Sequence, residues 1–204
     1  MNRRSDSVFL VYGRMNPPTI GHKALIDEML KRARTKGADA YIVVSHTQDA
    51  KKNPLFPSEK VEILKQIYPY EGIVRILATS PEEPMIGHVL KRLQDSGYSS
   101  ITLVVGSDRV ADFQFLKKIF PDLEISSGGQ RDPDSDDSNL VASMSATKMR
   151  TAALSGNTRT FRSGTNASIL NAQVNVIMRK IRNRMTAKKN KRGGRRRIRK
   201  TRKH

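Results

Sequence analysis

The 204-residue sequence predicts an α/β fold: five parallel strands with helices on both faces, followed by a C-terminal helix and a disordered basic tail. Three observations predict it. Short apolar runs rich in Val and Ile alternate with helical patterns at about thirty residues per step, the rhythm of strand–helix–strand units. Gly or Pro punctuates most of the transitions between them. The charge is also segregated. Residues 1–137 hold 19 Lys+Arg and 19 Asp+Glu, whereas residues 138–204 hold 19 Lys+Arg and no acid, so the whole net charge of +19 sits in the last third.

The elements follow in order. VFLVY (8–12) is apolar and β-prone and ends at Gly13, which reads as a buried strand. From Ile20 to Lys36, Ile20, Ala24, Leu25, Ile26, Met29, Leu30 and Ala33 recur at helical spacing, and Gly37 caps the end. Tyr41–Val44 is the second strand. The loop SHTQDAKKNPLFP leads to a helix beginning near Ser58, with Glu59 in its first turn. Ile73–Leu77 is the third strand, Pro84–Asp95 a helix closed by Gly97, and Ile101–Val105 the fourth strand. Arg109–Ile119 is expected to be one helix stopped by Pro121, and Leu123–Ser126 a short fifth strand. Residues 127–143 form a Gly/Ser-rich acidic loop. Its Asp132, Asp134 and Asp136 open like a calcium loop, but Asp137 and Ser143 stand where Gly and Glu belong, so a solvated loop is expected. Residues 168–185 are an amphipathic helix with Leu170, Val174, Ile177, Ile181 and Met185 as its stripe. The organisation expected is a main domain over 7–156, a basic helical extension over 157–187 and a disordered tail over 188–204.

Composition narrows the classes. The absence of cysteine excludes disulfides and thiolate metal sites. No apolar run reaches the roughly 18 residues of a membrane span. An intracellular, cytoplasmic protein is the expectation.

Parallel sheets bind ligands beyond the carboxyl ends of their strands. The loops after strands one, two and four should therefore carry the chemistry. The first reads GRMNPPTIGH (13–22). Its prolines hold the chain extended before it enters a helix, whose first amides and positive dipole end make an anion site. Thr19 and His22, three apart, face one ligand across the first turn.

This string resembles the signature of the HIGH-motif nucleotidyltransferase superfamily, G-[RS]-F-x-P-x-x-x-G-H. Gly13, Arg14, Met15 in place of Phe, Asn16, Pro17, Thr19, Gly21 and His22 supply it. The resemblance implies a Rossmann-like sheet. It implies that Thr19 and His22 bind a nucleotide triphosphate, with Gly13, Arg14, Met15 and Gly21 around it, and that His22 stabilises charge on the α-phosphate. A second string, MSATKMR (144–150), resembles the superfamily's I-S-[ST]-T-x-[IL]-R, with Ser145, Thr147 and Arg150 as phosphate ligands and Ala146 for the common Ser. KKNPLFPSEKVEIL (51–64) resembles a segment of phosphopantetheine adenylyltransferases and makes Lys51 or Lys52 a candidate for an acceptor phosphate. VVGSDRVADF (104–113) resembles a loop of nicotinate mononucleotide adenylyltransferases and places Gly106 and Asp108 near the ribose or acceptor. The chain is also similar, more loosely, to cytidylyltransferase-like proteins of large DNA phages.

The reaction these resemblances imply moves AMP or CMP from ATP or CTP to a small phosphate-bearing acceptor, with release of pyrophosphate. Mg²⁺ is expected to ride on the nucleotide phosphates, and no dedicated metal ligands are expected. A second Ile-Gly-His, in PMIGHVLKRL (84–93), follows Glu82 and Glu83 and reads as a packed structural helix. His46, after strand two, is a lesser candidate. Residues 179–204 are expected to bind nucleic acid non-specifically, although KRGGRRRIRK also fits a nuclear localisation pattern. The rival function is a nucleic-acid-binding or packaging protein on a degenerate transferase fold. The acceptor, the choice of nucleotide and the oligomeric state have no code in the sequence.

Overall fold

Strands of β-branched, uncharged residues can be buried on both faces, and the central three of this sheet are. In the computed structural model, which describes residues 5–69, 74–129 and 140–187, five parallel strands form one sheet in the order β3-β2-β1-β4-β5. These are β1 (Ser7–Gly13), β2 (Asp39–Val44), β3 (Val74–Ala78), β4 (Ser100–Val105) and β5 (Leu123–Ser127). The acidic stretch with Asp132, Asp134, Asp136 and Asp137, the residue Ile73 and the basic segment 188–204 lie outside the described residues.

Alternation along the strands divides the core in two. Val8, Leu10, Tyr41, Val43, Leu103 and Val105 face α3 (Ile86–Asp95). Val11, Ala40, Ile42, Val44 and Val104 face α1 (Ile20–Thr35) and α2 (Pro57–Ile67). Helices therefore cover both faces, as the buried strands require. The order reverses at β1, whose neighbours are β2 and β4, and the crevice at their carboxyl ends is the switch point.

Two segments differ from the expectation. Residues 109–119 are not one helix. A 3-10 turn (Ser107–Arg109), α4 (Val110–Phe113) and a second 3-10 stretch (Gln114–Lys118) follow one another. Val110, Phe113, Leu116 and Phe120 pack on the sheet core while Phe115 and Ile119 are left exposed, so the segment tightens locally to keep that face on the sheet. The chain before the second motif also forms a short helix, α5 (Leu140–Ser143).

Beyond the sheet, α6 (Ala146–Ser155), α7 (Thr158–Ser163) and α8 (Asn171–Thr186) build a third core with Leu55 and Ile63. Met149, Ala152, Ala153, Phe161, Val174, Ile177, Met178 and Ile181 are its buried members. Leu170 is not in the stripe: it precedes α8 and is 67% exposed, and Met178 is buried instead. α8 thus packs on the helix that carries the second motif.

Candidate active site

The first motif is held by its own residues. Thr19 caps α1: its Oγ1 accepts from the His22 amide at 3.3 Å, and its own N–H donates to His22 Nδ1 at 3.1 Å. Oγ1 also lies 2.8 Å from Nδ1. A backbone N–H can only donate, so Nδ1 is the acceptor and the neutral ring carries its proton on Nε2. His22 lines the cleft. Thr19 is buried behind it and does not. Its part is to fix the imidazole.

Gly21 serves the same end by being small. A β-carbon there would lie 3.0 Å from the Val141 carbonyl oxygen and 3.3 Å from that of Met144. The absence of a side chain lets the segment leading into the second motif close on the start of α1. The amides of that start are not simply presented to solvent, as the dipole argument expected. The Ile20 N–H donates to the Gly164 carbonyl at 3.0 Å, and the His22 N–H to Thr19. The helix positions His22 more than it offers N–H groups.

Between the strand and the helix, Met15 adopts φ +44°, a left-handed conformation that costs a non-glycine residue about 1–2 kcal/mol. Its side chain is buried in the core below the cleft. The Asn16–Pro17 peptide is cis. Asn16, almost fully buried, clamps the next loop: Nδ2 donates to the Leu55 carbonyl and Oδ1 accepts from the Leu55 N–H, both at 2.9 Å. Its own carbonyl accepts from Arg150 Nη1 at 2.9 Å. One residue therefore joins three segments of the site.

At α6, Ser145 is the cap, its Oγ accepting from the Lys148 N–H at 3.2 Å, and Arg150 Nη2 donates to Thr147 Oγ1 at 3.0 Å. Burial, with the nearby Arg14 guanidinium, lowers the Arg150 pKa from its ordinary value. Two guanidiniums facing one cleft repel each other until an anion arrives.

The loop after β2 is shaped by Asp49. Its carboxylate accepts from the N–H groups of Lys51 at 2.8 Å and Lys52 at 2.7 Å and from Asn53 Nδ2. These bonds, led by that of Lys52, hold it down at about 2. Farther along, Glu59 binds the Phe56 N–H at 2.9 Å and gathers two cations from α8: Lys180 at 3.0 Å, and Arg184, whose Nη2 lies 3.0 Å from Oε1. Arg184 also donates to the Pro54 carbonyl at 2.9 Å and lies over the Phe56 ring at 4.3 Å. Burial alone would raise the Glu59 carboxyl. The Arg184, Phe56 and Lys180 hydrogen bonds outweigh it and hold the group at about 2.

These segments surround a cleft of about 670 Å³ at the switch point. Gly13, Arg14, Met15, His22, Lys52, Gly106, Asp108, Ser145, Thr147 and Arg150 line it. Thr19, Gly21 and Lys51 do not. Lys51 is exposed on the Asp49 turn. The cleft also takes in Arg109 and Lys148, which the sequence reading passed over, and an aromatic wall of Tyr12 and Phe113. Five cations (Arg14, Lys52, Arg109, Lys148, Arg150) thus meet one carboxylate, Asp108, although Arg109 also pairs with Asp112 at 3.0 Å. Among the described residues no group of three His, Asp, Glu or Cys could hold a metal ion.

His46 does not line the cleft. Its N–H donates to Thr79 Oγ1 at 2.8 Å. The second Ile-Gly-His repeats the local geometry of the first. Ile86-Gly87-His88 open α3, and the Met85 N–H donates to His88 Nδ1 at 3.4 Å. What it lacks is a capping hydroxyl and a cleft. Gly87 has only the Phe120 ring within 4.0 Å. No helix among the described residues is long and apolar enough to cross a membrane.

Comparison with known proteins agrees with this geometry. A family model described as cytidylyltransferase-like matches residues 10–150, from β1 through Arg150. No curated protein matches the chain at a significant level. Among solved structures, the nicotinic acid mononucleotide adenylyltransferase of Plasmodium falciparum, complexed with APC, superposes with a TM-score of 0.57 at 12% identity, over 83% of this chain and 94% of that one. At that identity the likeness speaks to the fold, and the family match to the activity: the chain belongs to the cytidylyltransferase-like family and is a nucleotidyltransferase.

Proposed function

We propose that this enzyme transfers AMP or CMP from ATP or CTP to a small acceptor bearing a phosphate or similar oxyanion. The observation that carries the reading is the cleft itself: five cations and one oriented imidazole against a single carboxylate, at the switch point of a parallel sheet. An acceptor oxygen attacks the α-phosphorus, the bond to the β-phosphate oxygen breaks, and pyrophosphate leaves with the electron pair. Such a transfer needs positioning and charge stabilisation rather than a covalent nucleophile. His22, its Nδ1 bound to the Thr19 N–H, offers its Nε2 proton to an α-phosphate oxygen where charge builds. Arg14, Lys148 and Arg150, with Ser145 and Thr147, hold the β- and γ-phosphates, and Gly13, Met15 and Gly21 shape the loop beneath them. Lys52, with Lys51 on the same turn, faces the acceptor phosphate. Gly106 and Asp108 lie on the ribose or acceptor side. Mg²⁺ bound to the triphosphate would neutralise part of its charge, and Asp108 is the carboxylate that lines the cleft. ATP is the favoured donor, because the Gly106–Asp108 and Lys51–Phe56 strings both resemble adenylyltransferases. Residues 179–204 tether the enzyme to nucleic acid by charge.

The test is pyrophosphate release with ATP or CTP, each against nicotinamide mononucleotide, phosphopantetheine, glycerol phosphate and phosphocholine. One pair should turn over far above the others. Turnover by none, with DNA binding retained, would favour the rival binding-protein reading.

A further inference from the structure

The cations of α8 fall on two faces with different partners. Lys180 and Arg184, four apart, are bound to Glu59. Arg179 and Arg182, three apart, point the other way, are exposed, and make no ion pair among the described residues. They line a groove of about 470 Å³ between the α6–α7 junction and α8, together with Gly156, Thr158, Asn175 and Val176. Gly156 sits there at φ +74°, and the Arg182 guanidinium passes over it, 3.8 Å from where a β-carbon would be. No acidic residue occurs anywhere in 138–204, so nothing in this part of the chain neutralises the groove.

The geometry points to this groove as the seat of a nucleic-acid phosphodiester backbone, with Arg179 and Arg182 as its phosphate contacts and Thr158 and Asn175 as neutral donors beside them. The inference rests on the nucleic-acid part of the reading above and divides it: the Lys180–Arg184 face belongs to the enzyme's own loop, and the Arg179–Arg182 face to the polyanion. Arginine suits the task because its fork matches phosphate oxygens. The basic run after residue 187 extends the same charge. The groove and the catalytic cleft use opposite ends of α6, Gly156 and Ser145–Arg150. At 1.5 Å per residue, Gly156 lies roughly 9 Å along the helix from Arg150 and roughly 16 Å from Ser145.

The experiment is fluorescence anisotropy of a labelled 20-base-pair DNA duplex with the full chain, over a salt series. The Arg179→Ala/Arg182→Ala double variant should bind about tenfold more weakly near 0.15 M salt, and its log K against log salt slope should fall by about two, one per phosphate contact. Asn175→Glu, which puts an acid in the groove, should weaken binding in the same direction. Lys180→Ala should leave the slope unchanged. An unaltered slope in the double variant, with the wild type binding, overturns the groove and leaves the tail reading standing. No binding by the wild type overturns both. Loss of binding to phosphatidylserine vesicles but not to DNA in the double variant also overturns it.

Discussion

Asn16→Ala is the perturbation that most directly probes how the cleft is assembled. The Asn16 amide satisfies both backbone groups of Leu55, each at 2.9 Å, and both residues are buried. Removing the amide leaves a buried N–H and a buried carbonyl without their partner. An orphaned buried group costs about 1–3 kcal/mol, so the pair should cost about 3 kcal/mol. For a chain of this size that is a fall in Tm of about 6–12 °C. Urea unfolding supplies the free energy. Hydrogen exchange at Leu55, whose amide should lose protection first, supplies the location. Activity should fall by more than the unfolded fraction explains, because the Asp49–Phe56 loop and the carbonyl that binds Arg150 both depend on Asn16. A loss below 1 kcal/mol with Leu55 still protected would refute the clamp.

Other predictions follow from the same contacts. Glu59 is held at about 2, below the ordinary 4.5, so its contribution is fully present above pH 4.5 and lost as pH falls towards 2; the Glu59→Gln variant should lack that component of acid unfolding, as followed by circular dichroism. Arg184→Ala should lower stability by about 2 kcal/mol, since it breaks a shielded bidentate pair and a ring contact, measured by urea unfolding. Lys60 is fully buried with its ammonium on the Ser45 carbonyl, and burial lowers it to about 8. The unfolded chain therefore binds more protons between pH 8 and 10.5, and stability should rise with pH across that window in wild type but not in Lys60→Met. An equal slope in both proteins would show that Lys60 is not the group responsible.

The strands were legible because burial on both faces writes itself as a short run of Val, Ile and Leu. The switch-point rule then named the loops after β1, β2 and β4, and the cleft lies there. What the sequence hid was tertiary. The Asn16 amide meets Leu55 across 39 positions, and Arg184 meets Glu59 across 125, so neither pairing leaves a local pattern. Arg184 reads as one more cation in a basic run, and its bonds to Glu59 and Pro54 make it a brace for the loop before α2. The bond from the Ile20 N–H at the start of α1 could not be read either, because its acceptor is the Gly164 carbonyl, brought in by the third core.

The central claim is that His22, fixed by Thr19 at the head of α1, stabilises charge at the α-phosphate. The most direct measurement compares pyrophosphate release by wild type, His22→Ala and His88→Ala, with nucleotide binding measured alongside. The two histidines open their helices in the same way, so the pair separates chemistry from capping. His22→Ala should lose about 10²–10³ in turnover with modest loss of nucleotide binding, and His88→Ala should turn over near the wild-type rate. Equal turnover by His22→Ala and wild type would contradict it.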